Sequence, residues 1–135
     1  MSFIPTNNRN SGIDYAKKAS TAFLVGQAVQ IDGTTGLVEP ADMSTPIVGI
    51  CNIDVDVSDA TNDFISITKP MDNIEFEISA DSATAAMVGR YVALNATGTG
   101  IVVAGISTVA SLGNPVLVTK FISATEIIGE IAFKA

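Results

Sequence analysis

The chain has 135 residues, of which 47% are apolar, 6% aromatic and 16% charged, with a net charge of −7 and no histidine or tryptophan. That length suits one domain with its own core, and the missing histidine excludes a Ser-His-Asp or Cys-His catalytic arrangement. The acidic balance opposes docking on a nucleic-acid backbone or on an anionic membrane surface.

The charge is unevenly placed. Residues 1–20 carry Arg9, Lys17 and Lys18 against Asp14, whereas the other 115 residues carry four basic and thirteen acidic side chains. Pro5-Thr6-Asn7-Asn8-Arg9-Asn10-Ser11-Gly12 is polar and turn-rich, with nothing to bury. Residues 13–19 have the length of one or two helical turns, which is marginal for an isolated helix. Residues 1–20 are therefore expected to form an extended N-terminal arm, ordered against a partner. Residues 21–135 are expected to form a single β-domain.

From Thr21 the signal is β. Ala28-Val29-Gln30-Ile31 reads as a strand, and Asp32-Gly33 with Gly36 marks a turn into Leu37-Val38. Pro40 limits the return strand. The run 46–57 is apolar and then alternates, with Ile53, Val55 and Val57 on one face and Asn52, Asp54 and Asp56 on the other. That period of two predicts a half-buried strand. Phe64-Ile65-Ser66-Ile67-Thr68 and Ile74-Glu75-Phe76-Glu77-Ile78 also alternate. A short turn at Pro70-Met71-Asp72-Asn73 makes them a predicted hairpin, with Ile74, Phe76 and Ile78 facing inward. Residues 81–86 suit a loop or one helical turn capped by Ser82. Two further strands are expected over 115–121 and 126–133. Many short strands with turns at this spacing indicate an all-β fold, a small compact barrel or sandwich.

The strongest pattern occurs twice. Val25-Gly26-Gln27-Ala28-Val29-Gln30-Ile31-Asp32, with its glycine-rich turn, reappears as Val88-Gly89-Arg90-Tyr91-Val92-Ala93-Leu94-Asn95 followed by Ala96-Thr97-Gly98-Thr99-Gly100. Each copy is closed by an apolar run broken by one glycine: Ile47-Val48-Gly49-Ile50 and Ile127-Ile128-Gly129-Glu130. The chain thus reads as two related halves. Gly26, Gly49, Gly89 and Gly129 are its structural glycines, and a glycine inside a strand marks a bulge, a bend or a close backbone approach.

Candidate chemistry is sparse. Asp54, Asp56, Asp59 and Asp63 are close enough in sequence to suggest Ca²⁺, but Asp59-Ala60 stands where an EF-hand needs its turn glycine and Ile65 where it needs its bidentate glutamate. Glu75 and Glu77 lie on one face of an alternating strand, as solvent-facing acids do. Gly98-Thr99-Gly100 lacks the third glycine of a dinucleotide motif. Asn95-Ala96-Thr97 matches a glycosylation acceptor but reads as a turn. Cys51, the sole cysteine, allows no internal disulfide and sits in an apolar run as a buried, inert thiol. No catalytic residue, metal site or cofactor is expected. With neither a secretory signal nor a membrane-spanning run in view, folding in a reducing cytoplasm is expected.

The succession Val25-Gly26-x-x-Val29, Gly36-Leu37-Val38-Glu39-Pro40-Ala41 and Pro46-Ile47-Val48-Gly49-Ile50, repeated through Val88-Gly89-Arg90-Tyr91-Val92 and Ile127-Ile128-Gly129, resembles the capsid decoration (cement) proteins of tailed bacteriophages. The resemblance covers residues 22–133. It departs at Gln27 and Arg90, where that family often has aspartate after the glycine, and it does not extend to the N-terminal arm. It implies a non-enzymatic virion protein on the capsid exterior, made in the host cytoplasm. Such a protein bridges neighbouring major capsid subunits and often self-associates as a trimer. On that reading Phe3, Ile4 and Tyr15 are apolar anchors, Pro5 belongs to the same contact, and Arg9, Lys17 and Lys18 pair with capsid carboxylates. Alternatives are another virion β-subunit, from the tail or the fibre base, and a carbohydrate-binding β-domain. The latter is weakened because only Tyr15 and Tyr91 join the phenylalanines as aromatic residues.

Overall fold

The computed structural model describes residues 3–5, 12–71 and 74–135, and eleven strands occur among them. In chain order these are β1 (Phe3–Pro5), β2 (Gly12–Ala16), β3 (Ala28–Ile31), β4 (Val38–Pro40), β5 (Ile47–Cys51), β6 (Phe64–Thr68) and β7 (Phe76–Asp81). After a three-residue 3-10 turn (Ala85–Met87) come β8 (Tyr91–Leu94), β9 (Ile101–Ser107), β10 (Val116–Ser123) and β11 (Glu126–Ile131).

The strands divide between two sheets. One runs β1-β7-β11-β10-β8-β9, and β9 also pairs in parallel with β7 through Ala80↔Ile101 and Asp81↔Val102. That extra pairing closes β7, β11, β10, β8 and β9 into a five-stranded barrel, which leaves no free edges around the ring. The second sheet runs β2-β6-β5-β3-β4. The architecture is thus a barrel with a second sheet, rather than a two-sheet sandwich.

Alternation along the strands builds two cores. Ile74, Phe76, Ile78, Val92, Leu94, Ile101, Val116, Val118 and Ile127 belong to one cluster, and every one is buried. Phe23, Val29, Val38, Val48, Cys51, Ile65 and Ile67 form the other. β5 contributes to both, with Ile47 and Ile50 on the barrel side and Val48 and Cys51 on the far side. All five of its residues are buried.

The repeat is realised in backbone geometry. Gly26 and Gly89 have φ of 81° and 80°, a left-handed conformation in which glycine is at ease and other residues are strained. Each precedes a strand that turns back as an antiparallel hairpin, β3 with β4 and β8 with β9. Both turns close alike: Asp32 N–H donates to the Leu37 carbonyl at 2.9 Å, and Asn95 N–H to the Gly100 carbonyl at 2.8 Å. The third element diverges. β5 pairs directly with β3, but β11 is separated from β8 by β10. Even so, Gly49 and Gly129 both sit beside register shifts, opposite Val29 and Val118. A Cβ on Gly49 would collide with the Ile67 side chain, and one on Gly129 would crowd the Leu117 carbonyl. Bulging and close strand approach together account for these two glycines.

Four local expectations are corrected. Residues 13–19 do not form a helix; Gly12–Ala16 is a strand on β6, paired from Gly12↔Thr68 to Ala16↔Phe64. A helix that short has little stability of its own, and β6 offers it an open row of backbone partners. The alternating run after Cys51 is a loop with one isolated bridge, Phe23↔Val55. Its aspartates bond to backbone instead: Asp54 accepts from Val25 N–H and Asp56 from Ser58 N–H, both at 2.9 Å. β6 and β7 do not form a hairpin, because β6 lies between β2 and β5 while β7 lies between β1 and β11. Thr84, not Ser82, stands at the cap of the 3-10 turn, and Ser82 takes a positive φ of 60°.

Candidate functional site

The N-terminal segment supplies one strand to each sheet. β1 adds to the barrel through Phe3↔Ile78 and Pro5↔Phe76, and β2 adds to the second sheet. Phe3 is 1% exposed; its ring meets Phe76 edge-on at 6.2 Å, and its N–H donates to the Gly26 carbonyl at 2.7 Å. Ile4, the next residue, is 50% exposed and borders a shallow cleft of about 250 Å³ with Glu77 and Glu126. Alternation in a strand produces this division: Phe3 points into the core and Ile4 away from it.

The two lysines act within the chain. Lys17 is 1% exposed; its ammonium donates to the Thr61 carbonyl at 2.6 Å and lies 3.4 Å from an Asp59 carboxylate oxygen. Lys18 lies 2.9 Å from both Asp32 and Glu39. Its ammonium pKa is raised, mainly by the hydrogen bond to Glu39 and then by that to Asp32. Asp32 is lowered to about 2, first by the Thr34 N–H and then by Lys18. Glu39 also accepts from the buried Gln30 amide, which donates to Asp42 and Ser44 as well. Tyr15 packs against the second core. Of the seven arm residues expected to contact a partner, Ile4 has an exposed apolar side chain. Phe3 and Lys17 are buried in their own chain, Lys18 is ion-paired there, and Arg9 lies outside the described residues.

The acidic candidates serve as turn caps. Asp59 accepts from both Thr61 N–H and Thr61 Oγ1, at 3.0 and 2.7 Å, and Thr61 lowers its pKa. Asp63 offers its carbonyl to Lys17 N–H. Among the described residues no group of three or more His, Cys, Asp or Glu is arranged to hold a metal ion. Glu75 accepts from Thr119 Oγ1 at 2.6 Å, while Glu77 is exposed on β7. Asn95 organises its own turn, bonding to Thr97 and Thr99. Cys51 is buried, its thiol donates to the Ile53 carbonyl at 3.1 Å, and burial raises its pKa.

No protein-family model matches this chain, and no curated protein matches it.

Proposed function

We propose that this chain is a non-enzymatic virion protein that binds the outside of an assembled phage capsid and stabilises it by bridging neighbouring major capsid subunits. The observation that carries this reading is the ordered double repeat that resembles the decoration proteins, together with its expression as two hairpins led by conformationally matched Gly26 and Gly89. A barrel closed around an apolar core supplies a rigid body, and the N-terminal strand β1 presents Ile4 at the surface. A protein that binds only the assembled shell stabilises it by mass action, and a copy that touches several subunits gains avidity. On this reading Phe3, Lys17 and Lys18 position the arm, and Ile4 makes contact.

The test is co-sedimentation of the purified protein with intact heads of its source phage, counting copies per particle. Saturation at a number fixed by the lattice symmetry is expected. Failure to bind heads, or binding to tails alone, overturns it in favour of another virion part. Ile4→Asp is the variant to compare, because it adds a charge at an exposed position without opening the core.

A further inference from the structure

The outer wall of the barrel beside Ile4 carries one sign of charge. Phe76, Ile78 and Ile127 point into the core, so alternation turns Glu77, Glu126 and Ile128 outward. Register sets Ile4 opposite Glu77, Glu77 opposite Ile128, and Glu126 opposite Ser79. Ile4 thus stands at the end of a row that crosses β1, β7 and β11. The cleft beside it is lined by Ile4, Glu77, Ile78, Ser79, Thr125 and Glu126, so two carboxylates and no cation border it.

Neither carboxylate is matched within the chain. The ion pairs among the described residues join Lys17 to Asp59 and Lys18 to Asp32 and Glu39, and none reaches Glu77 or Glu126. Glu77 is exposed and Glu126 partly so. Lys120 is exposed on β10 opposite Ile128, two strands and about 10 Å across the sheet from Glu77.

We infer that the partner segment docking on Ile4 carries a lysine or arginine beside an apolar residue. The apolar group covers Ile4, and the cation sits between Glu77 and Glu126. This rests on the capsid reading and gives the shell subunit's contact its chemistry. It also reverses the sign expected from the sequence, in which arm cations met carboxylates on the shell. Lys17 and Lys18 are held inside the chain, so the carboxylates beside Ile4 make the charged contact. A polyanion or an acidic protein is repelled here, and so is the body of a second copy at −7. Charges at the rim of an interface set the rate of encounter, the salt dependence and the choice of partner.

The test is binding to intact heads of the source phage over a range of salt concentrations. It compares the wild type with the double variant Glu77→Gln/Glu126→Gln and with Glu77→Lys, after melting temperatures have checked that each is folded. The double variant should bind about tenfold more weakly at low salt and show a flatter salt dependence, and Glu77→Lys should bind more weakly still. Asp63→Asn removes a carboxylate just before β6, in the other sheet, and should bind as the wild type does. If the double variant binds as well as the wild type, if Glu77→Lys binds more tightly, or if Asp63→Asn loses as much, the inference is overturned and the capsid reading stands. A wild-type protein that ignores heads overturns the capsid reading, and this inference with it.

Discussion

The Phe3 ring rests edge-on against Phe76 at 6.2 Å, so the start of the chain is part of the barrel core. Phe3→Ala should lower stability by about 3 kcal/mol, the usual loss for a buried aromatic truncated to alanine. Chemical denaturation checks this; a change under about 0.5 kcal/mol would mean that β1 contributes nothing in solution. Deleting the arm therefore tests folding and partner binding at once, whereas Ile4→Asp separates them.

The glycines should rank by surroundings. A Cβ at Gly89 meets open space, so Gly89→Ala bears only the left-handed backbone, about 1–2 kcal/mol. At Gly49 a Cβ would strike the Ile67 side chain and come within 2.8 Å of the Thr68 carbonyl oxygen. Gly49→Ala is expected to cost about 3 kcal/mol or more, since β5 has no slack on either face. Melting curves of the two variants decide the order, and equal effects would contradict this packing.

Acid should loosen the turn that holds Lys18. Asp32 sits at about 2 in the fold, against about 3.9 for a free aspartate. Its charged form therefore stabilises the native state fully above about pH 4, and that contribution is lost as pH falls toward about 2. Asp42, Asp56 and Asp59 are lowered too, held chiefly by Ser44, Ser58 and Thr61, so they act in the same sense. The melting temperature should drop across this window, and Asp32→Asn should show a shallower drop. An unchanged slope in that variant would remove Asp32 from the account.

Lys17 is a buried cation with a carbonyl and a carboxylate for partners. Lys17→Ala should cost about 1–3 kcal/mol by stranding the Thr61 carbonyl and opening a gap. Lys17→Met should recover much of this, because the stem of the lysine supplies packing of its own. If methionine is no better than alanine, the ammonium itself is what matters.

Cys51 should resist alkylation in the native protein and react fully once denaturant is added. Its thiol is buried and its pKa raised, so little thiolate meets the reagent. Rapid labelling of the folded chain would contradict the packing around β5.

The fold class was legible because β-branched alternation and glycine turns are local signals. Ile74, Phe76 and Ile78 face inward as their spacing requires. Pairing partners were not legible. The alternating runs of β6 and β7 fit each other as well as they fit the strands that flank them in the structure, and only tertiary packing separates the two sheets. The aspartates after Cys51 misled for a related reason: a period of two describes side chains, while Asp54 and Asp56 bind backbone and break the strand. Arm residues chosen for their character proved half internal, because a buried Phe3 and an exposed Ile4 look equally apolar in sequence.

β5 is lined on both faces, by Ile47 and Ile50 toward the barrel and by Val48 and Cys51 toward the other cluster. The two cores therefore share a party wall. Neither sheet can melt while the other stays dry, because withdrawing this strand floods both compartments. The chain should lose its structure in one cooperative step, with calorimetric and van't Hoff enthalpies in agreement, despite having two hydrophobic centres.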